Sequence, residues 1–455
     1  VGRVMRGVMA AGLAAVIGAV SASAVAAFDG LGSMGADSTY DVEIRFEVDL
    51  AGGAPERLEL LIRTPANESS FVVPVAAEGS SATYVWDTSS DYVTPNTLIT
   101  YQWRATDGED VTVSEEGTVR YEDDREGLDW QRAQLGEATV HWYGGAEAQA
   151  LRFGELTSVG VERAEEFLGT QLAGPVDVFV YETRDDFFGA LGPGTREWTG
   201  AAAYSELRTI FMWLGGGSAS YLETAMVHEV THVVFFDATD NPYHEPARWL
   251  NEGVATWLEN REAVDERSIV EIEASGAGLF AFDAITEQFP IGERGGRLSY
   301  AQGTTMIDLI VDRYGIEAIA RIMAAYRDGA SDVDALEAGT GIGADELYAE
   351  YFAAYGVDAP QPVAGAPIPA SNVERPVPGE IDRGGVDSEP SPGPDSGPDS
   401  DPDPDTETPA SDAGPGGNVT GSTESGVLAI WAVMATLTLG AALVGARRAT
   451  RSKST

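Results

Sequence analysis

The stretch AMVHEVTHVVFFDATDNPYHEPARWLNEGVATWLE, residues 225–259, holds three of the chain's four histidines, and its reading decides the second half of the fold. His228 and His232 stand at i and i+4 in an apolar run. A helix here places both imidazoles on one face, one turn apart, where they can bind a single ion. Glu229 lies beside them. In the spelling H-E-x-x-H the histidines are ligands and the glutamate is placed to take a proton from water activated at the metal. A pair of satisfied core histidines is the bland alternative, yet with four histidines in 455 residues composition alone seldom produces the full pattern. Catalytic zinc ordinarily keeps three protein ligands and one open position. Glu252 is the candidate for the third, because Trp249, Leu250, Val254 and Trp257 can pack its helix while Glu252 points elsewhere. His244 and Glu245 compete for that role from the intervening loop, a less rigid support than a helix.

HEVTH followed by WLNEG resembles the gluzincin metallopeptidases, the group containing thermolysin and the aminopeptidase N-like enzymes, and especially bacterial peptidase MA-like domains. The likeness implies a Zn²⁺ site completed by the glutamate of the second helix. Residues 233–251 between His232 and Glu252 match the thermolysin spacing, whereas WLNEG is worded more like the aminopeptidase N-like enzymes. A metzincin would want glycine at Phe235 and histidine at Ala238, so that alternative fails. Tyr300 with Gly303, in SYAQGTTMIDLIVDRYG (299–315), is similar to the Y-x-x-G that opens a helix after the ligands in aminopeptidase N-like enzymes. That similarity implies a phenol steadying the tetrahedral oxyanion; an ordinary helix-start tyrosine is the plain reading. Thr256 and Glu259, one and two turns beyond Glu252, are placed to hydrogen-bond a ligand imidazole. The nearest text to the aminopeptidases' G-A-M-E-N strand is TGAAAYSEL (199–207), with Ala202 and Ala203 where an acidic amine-binding residue would be expected. Endopeptidase action is therefore favoured over aminopeptidase action, although Glu206, which follows within a few residues, could supply the missing charge in another strand register.

Composition bounds the rest. The chain lacks cysteine, which excludes zinc–thiolate sites, cysteine nucleophiles and disulfides and leaves any metal to His, Glu or Asp. A formal charge of −45 is too acidic for a nucleic-acid binder. At this length two folded domains plus accessory segments are expected. Residues 1–27 set Arg3 and Arg6 before an apolar run ending in Ala22, Ser23, Ala24 and Ala26, the pattern of a signal peptide. Residues 358–425 hold 14 of the 23 prolines and read as a disordered Pro/Asp-rich stalk. Residues 426–446 are uncharged and long enough to span a bilayer, and Arg447, Arg448, Arg451 and Lys453 follow in a cytoplasmic tail, 447–455. The expectation is a single-pass protein of the cell membrane with its catalytic domain outside.

Between these ends, Val42, Ile44, Phe46 and Val48 alternate with Glu43, Arg45 and Glu47, and Leu58, Leu60 and Ile62 repeat the period, which predicts an all-β sandwich domain over 37–125. From 137 to 357 helices mix with short strands. VDVFVYE (176–182) and RTIFMWL (208–214) read as strands. SASYLETAMVHEVTHVVFF reads as a helix with a serine cap, followed by helices over 248–260 and 301–314. The fold class is thus α+β, a gluzincin (thermolysin-like) metallopeptidase domain behind a β-sandwich. The expected function is zinc-dependent hydrolysis of peptide bonds in peptide or protein substrates, with Glu229 as general base. The rival is a surface adhesion or scaffold protein with an inactive peptidase-like domain, and an intact set of His228, Glu229, His232 and Glu252 speaks against it.

Overall fold

The computed structural model describes residues 27–65, 67–192, 200–260 and 264–360, which form two compact units. The first comprises residues 27–38, Glu43–Trp86 and Ile99–Val119. Its strands are β1 (Phe28–Thr39), β2 (Glu43–Gly52), β3 (Arg57–Thr64), β4 (Asn67–Pro74), β5 (Ala77–Glu78), β6 (Ser81–Asp87), β7 (Thr97–Asp107), β8 (Asp110–Val113) and β9 (Gly117–Tyr121). One sheet runs β1-β2-β6-β5 and the other β4-β3-β7-β8, with β9 also paired to β7. The period-two pattern explains the packing: β2 buries Ile44, Phe46, Val48 and Leu50, and β7 buries Ile99, Tyr101, Trp103 and Ala105. Phe46 meets Tyr101 edge-on at 5.1 Å between ring centroids, so the two apolar faces close on each other as a sandwich.

The second unit comprises residues 39–42, 87–98 and 120–360. Its sheet contains β10 (Gln131–Leu135), β11 (Ala138–Trp142), β12 (Val176–Tyr181), β13 (Ala201–Tyr204) and β14 (Thr209–Trp213) in the order β10-β11-β12-β14-β13. The inner three strands are parallel, and β10 and β13 are antiparallel edges. A central parallel strand is covered on both faces and therefore reads as a continuous apolar run. β12 does so: Val176, Val178 and Val180 join the main helical core, while Phe179 and Tyr181 join a second cluster with Phe187 and Phe211.

The helices are α1 (Glu147–Leu168), α2 (Arg184–Ala190), α3 (Ala219–Thr239), α4 (Arg248–Asn260), α5 (Val264–Ser275), α6 (Glu293–Tyr314), α7 (Glu317–Arg327), α8 (Asp332–Thr340) and α9 (Ala344–Ala354). α3 starts at the expected cap, where Ser218 Oγ accepts from the Tyr221 N–H. It buries Met226, Val230, Val233 and Val234 in the core, so the helix is anchored along its length. α4 and α6 cross almost backbone to backbone. A Cβ on Gly303 would fall 2.5 Å from the Trp249 carbonyl oxygen, and one on Gly253 would fall 2.6 Å from the Gly303 carbonyl carbon.

Two expectations are corrected here. The helix expected to open at Ala301 already begins at Glu293, so Tyr300 lies inside α6 rather than at its start. Tertiary contact decides the start: a Cβ on Gly295 would overlap the Pro290 carbonyl, so glycine is what lets the first turn fit. The single-pass cell-membrane location is also overturned. Among the described residues no helix is long and apolar enough to cross a membrane. The long helices carry charged faces, as α6 does with Glu293, Arg294, Arg297, Asp308, Asp312 and Arg313. The segments read as a signal peptide (1–27), stalk (358–425, save its first residues), membrane helix (426–446) and basic tail (447–455) lie outside the described residues, apart from Ala27.

Candidate metal centre

Helical spacing delivers His228 and His232 to one face of α3, with ring centroids 4.7 Å apart. α4 brings Glu252 against them: its Oε2 lies 3.3 Å from His228 Nε2 and 3.5 Å from His232 Nε2. One ligand atom from each of the three lies within 4.8 Å of the others.

The outer nitrogens are committed elsewhere. His228 Nδ1 is 2.9 Å from Glu259 Oε2, and His232 Nδ1 is 2.8 Å from Asn251 Oδ1. A carboxylate and an amide oxygen only accept, so both Nδ1 atoms carry the proton and both Nε2 atoms present lone pairs inward. Glu252 Oε2, between them, is buried without a hydrogen-bond partner. Three inward-facing lone-pair donors with no proton assigned among them form a site for a cation, and a His₂Glu set of nitrogen and oxygen donors fits zinc.

Glu229 sits next to His228 on α3. Burial is the main cause pushing its pKa up, while the two histidines and the Ala203 N–H pull the other way. That N–H comes from the free edge of the sheet. Trp213 donates to the Gly200 carbonyl at 3.0 Å, which makes those two a hydrogen-bonded pair and turns the backbone groups of Ala201 and Ala203 outward. Tyr300 comes down from α6 with its ring centroid 6.2 Å from that of His228, and Phe289 packs edge-on against it at 5.2 Å. Burial, reinforced by Glu252, raises the phenol's pKa and keeps it protonated.

The structure therefore brings together His228, Glu229, His232, Glu252 and Tyr300. It takes His244 elsewhere, with Nε2 3.0 Å from Asp332 Oδ1. Glu259 meets a ligand imidazole; Thr256, which shared that expectation, makes no such bond among the described residues. Asn251 was not foreseen, although its place directly before Glu252 in WLNEG was the available signal.

Residues 157–354 match the family model described as Peptidase MA superfamily. No curated protein matches the chain. Among solved structures, an M1 zinc metallopeptidase from Deinococcus radiodurans is similar at 12% identity and a TM-score of 0.36, over 70% of this chain and 90% of that one. An aminopeptidase N family protein from Idiomarina loihiensis is similar at 8% identity and a TM-score of 0.34, over 68% of this chain and 73% of that one. The bromine derivative of BhCBM56 is similar over 19% of this chain and 88% of that one, at 8% identity and a TM-score of 0.17. With the family match over 157–354 and the His228–His232–Glu252 cluster inside it, this part of the chain is a gluzincin, peptidase MA-like domain of metallopeptidase fold, preceded by a β domain.

Proposed function

We propose that the chain is a zinc-dependent peptidase that hydrolyses internal peptide bonds, with its catalytic domain over 137–357 and the β-sandwich over 37–125. The observation carrying this reading is the orphaned Glu252 Oε2 between two inward Nε2 atoms, with Glu229 on the same helix one residue from a ligand. Zinc held by His228, His232 and Glu252 would supply Lewis acidity, lowering the pKa of water and polarising a carbonyl. Glu229 accepts the water's proton and passes it to the leaving amine, a task suited to a carboxylate whose proton affinity burial increases. The Tyr300 hydroxyl, protonated and beside the ligands, donates to the oxyanion that develops on the substrate.

The outward backbone groups of Ala201 and the outward carbonyl of Ala203 suit a substrate bound in extended form as an added strand. The three alanines offer no carboxylate for a substrate's α-ammonium, and a buried ammonium needs such a partner. Glu206 follows in a short 3₁₀ turn, Ser205–Leu207, beyond the strand. Internal cleavage is therefore favoured. The test digests a peptide library with the zinc-loaded full chain and with Glu229→Gln, then compares each cleaved peptide with its N-acetylated form. Cleavage by the native protein alone, indifferent to acetylation, is expected. Strict dependence on a free N-terminus would make the protein an aminopeptidase, and equal turnover by Glu229→Gln would remove the mechanism.

A further inference from the structure

Arg248 opens α4 one turn before Glu252, and its Nη2 reaches Glu252 Oε1 only at 3.5 Å, the outer limit of a hydrogen bond. Its guanidinium carbon lies 5.2 Å from the centroid of Phe289, the ring that packs against Tyr300. A cation is thereby held at the side of the centre nearest the phenol. The side chain is 49% exposed. A guanidinium has five N–H donors, and among the described residues this weak contact is the one hydrogen bond it makes. Arginines that serve the fold behave differently: Arg125 pairs with Asp123 at 2.6 Å, Arg294 with Glu273 at 2.7 Å and Arg313 with Glu350 at 2.9 Å.

The charge around the centre sharpens the contrast. Glu252 belongs to the ligand set and Glu229 and Glu259 stand beside its histidines, so a substrate anion would be repelled there. Beside Arg248 it would be attracted, and a guanidinium fork matches a carboxylate with two parallel hydrogen bonds. From this placement we infer that Arg248 is a specificity residue that binds a carboxylate of the peptide substrate. The carboxylate comes from an Asp or Glu side chain close to the scissile bond or from the chain's own C-terminus. The inference rests on the peptidase reading and adds a substrate class to it.

The test uses the full chain loaded with zinc and fluorescent peptides in matched sets, Glu against Gln beside the cleaved bond and free acid against C-terminal amide. The expected result is a kcat/KM at least about 10-fold higher for the carboxylate-bearing member of one set. The set that responds identifies the source. In Arg248→Gln the ratio should collapse toward one, and Arg248→Lys, which keeps the charge without the fork, should retain part of it. Zinc content is measured in each variant. Loss of metal through a disturbed Glu252 would slow every peptide alike and leave the ratio standing, which would overturn the inference.

Binding of the same peptides to Glu229→Gln, read by fluorescence anisotropy with and without Arg248→Gln, gives the ratio without turnover. If no peptide is cleaved but the binding ratio depends on Arg248, the peptidase reading fails and the carboxylate site stands. Equal affinity for acid and neutral peptides, absence of binding, or an unchanged ratio in Arg248→Gln overturns the carboxylate site.

Discussion

Replacing Gly303 by alanine should weaken both the fold and the metal site, because the new methyl group has nowhere to go. Its Cβ would stand 2.5 Å from the Trp249 carbonyl oxygen and 3.2 Å from the Gly253 Cα. An ordinary carbon–oxygen contact is about 3.3 Å, so α4 and α6 must part by roughly 0.8 Å at this crossing. Neither partner is the tip of a flexible side chain, and Trp249 is fully buried, so the backbone has to move. Overpacking of this kind costs about 1–3 kcal/mol, or about 2–12 °C in Tm for a unit of this size.

Glu252 immediately precedes Gly253 on the displaced helix, while His228 and His232 stay with α3. Metal-ligand distances tolerate only about 0.2 Å, so the Zn²⁺ affinity of Gly303→Ala should fall in parallel with its stability. Thermal unfolding by circular dichroism and competition for zinc with a chromophoric chelator read the two effects. A variant with the native Tm and native zinc affinity would refute the claim that this glycine crossing positions the third ligand.

Glu259→Ala should bind zinc about 10- to 100-fold more weakly by chelator competition, because His228 Nδ1 loses the carboxylate that fixes its tautomer. Tyr300→Phe should keep the metal and lose about 10²- to 10³-fold in kcat, as removal of one oxyanion donor does; an unchanged kcat would leave it an ordinary packing tyrosine. Asp177 accepts from His141 Nε2 at 2.7 Å and from Asn96 Nδ2 at 3.2 Å. Burial alone would raise the Asp177 pKa, but these partners and Arg120 outweigh it and the carboxyl is held low. Its stabilisation is therefore fully present above the unfolded pKa of about 3.9 and is lost as pH falls through the lower folded value. A Tm series at acid pH should consequently show a shallower decline in Asp177→Asn than in the native protein.

What was legible in the sequence was whatever depends on local spacing. The i, i+4 histidines, the Ser218 cap, the α4 limits at Arg248 and Asn260, and the apolar runs of β12 and β14 are each set by residues within a few positions of one another. What required the structure was set across the chain. The first turns of α6 contain Gly295 and Gly296, poor helix formers, and gain their place from a close approach to Pro290. β1, FDGLGSMGADST, has little intrinsic strand preference and owes its form to pairing beside β2. Asn251 and Arg248 could be read as ordinary helix residues, because their significance depends on where α3 and Tyr300 lie. The run read as a membrane helix, 426–446, lies outside the described residues, and among those no helix is long and apolar enough to cross a membrane.

The central claim is that His228, His232 and Glu252 converge on one zinc ion. Its most direct test is the zinc content of the purified full chain by inductively coupled plasma mass spectrometry, beside His228→Ala, His232→Ala and Glu252→Ala after identical dialysis. One zinc per native chain and its loss in all three variants is the predicted result. Full zinc occupancy in any of the three, or none in the native protein after exposure to excess zinc, would contradict it.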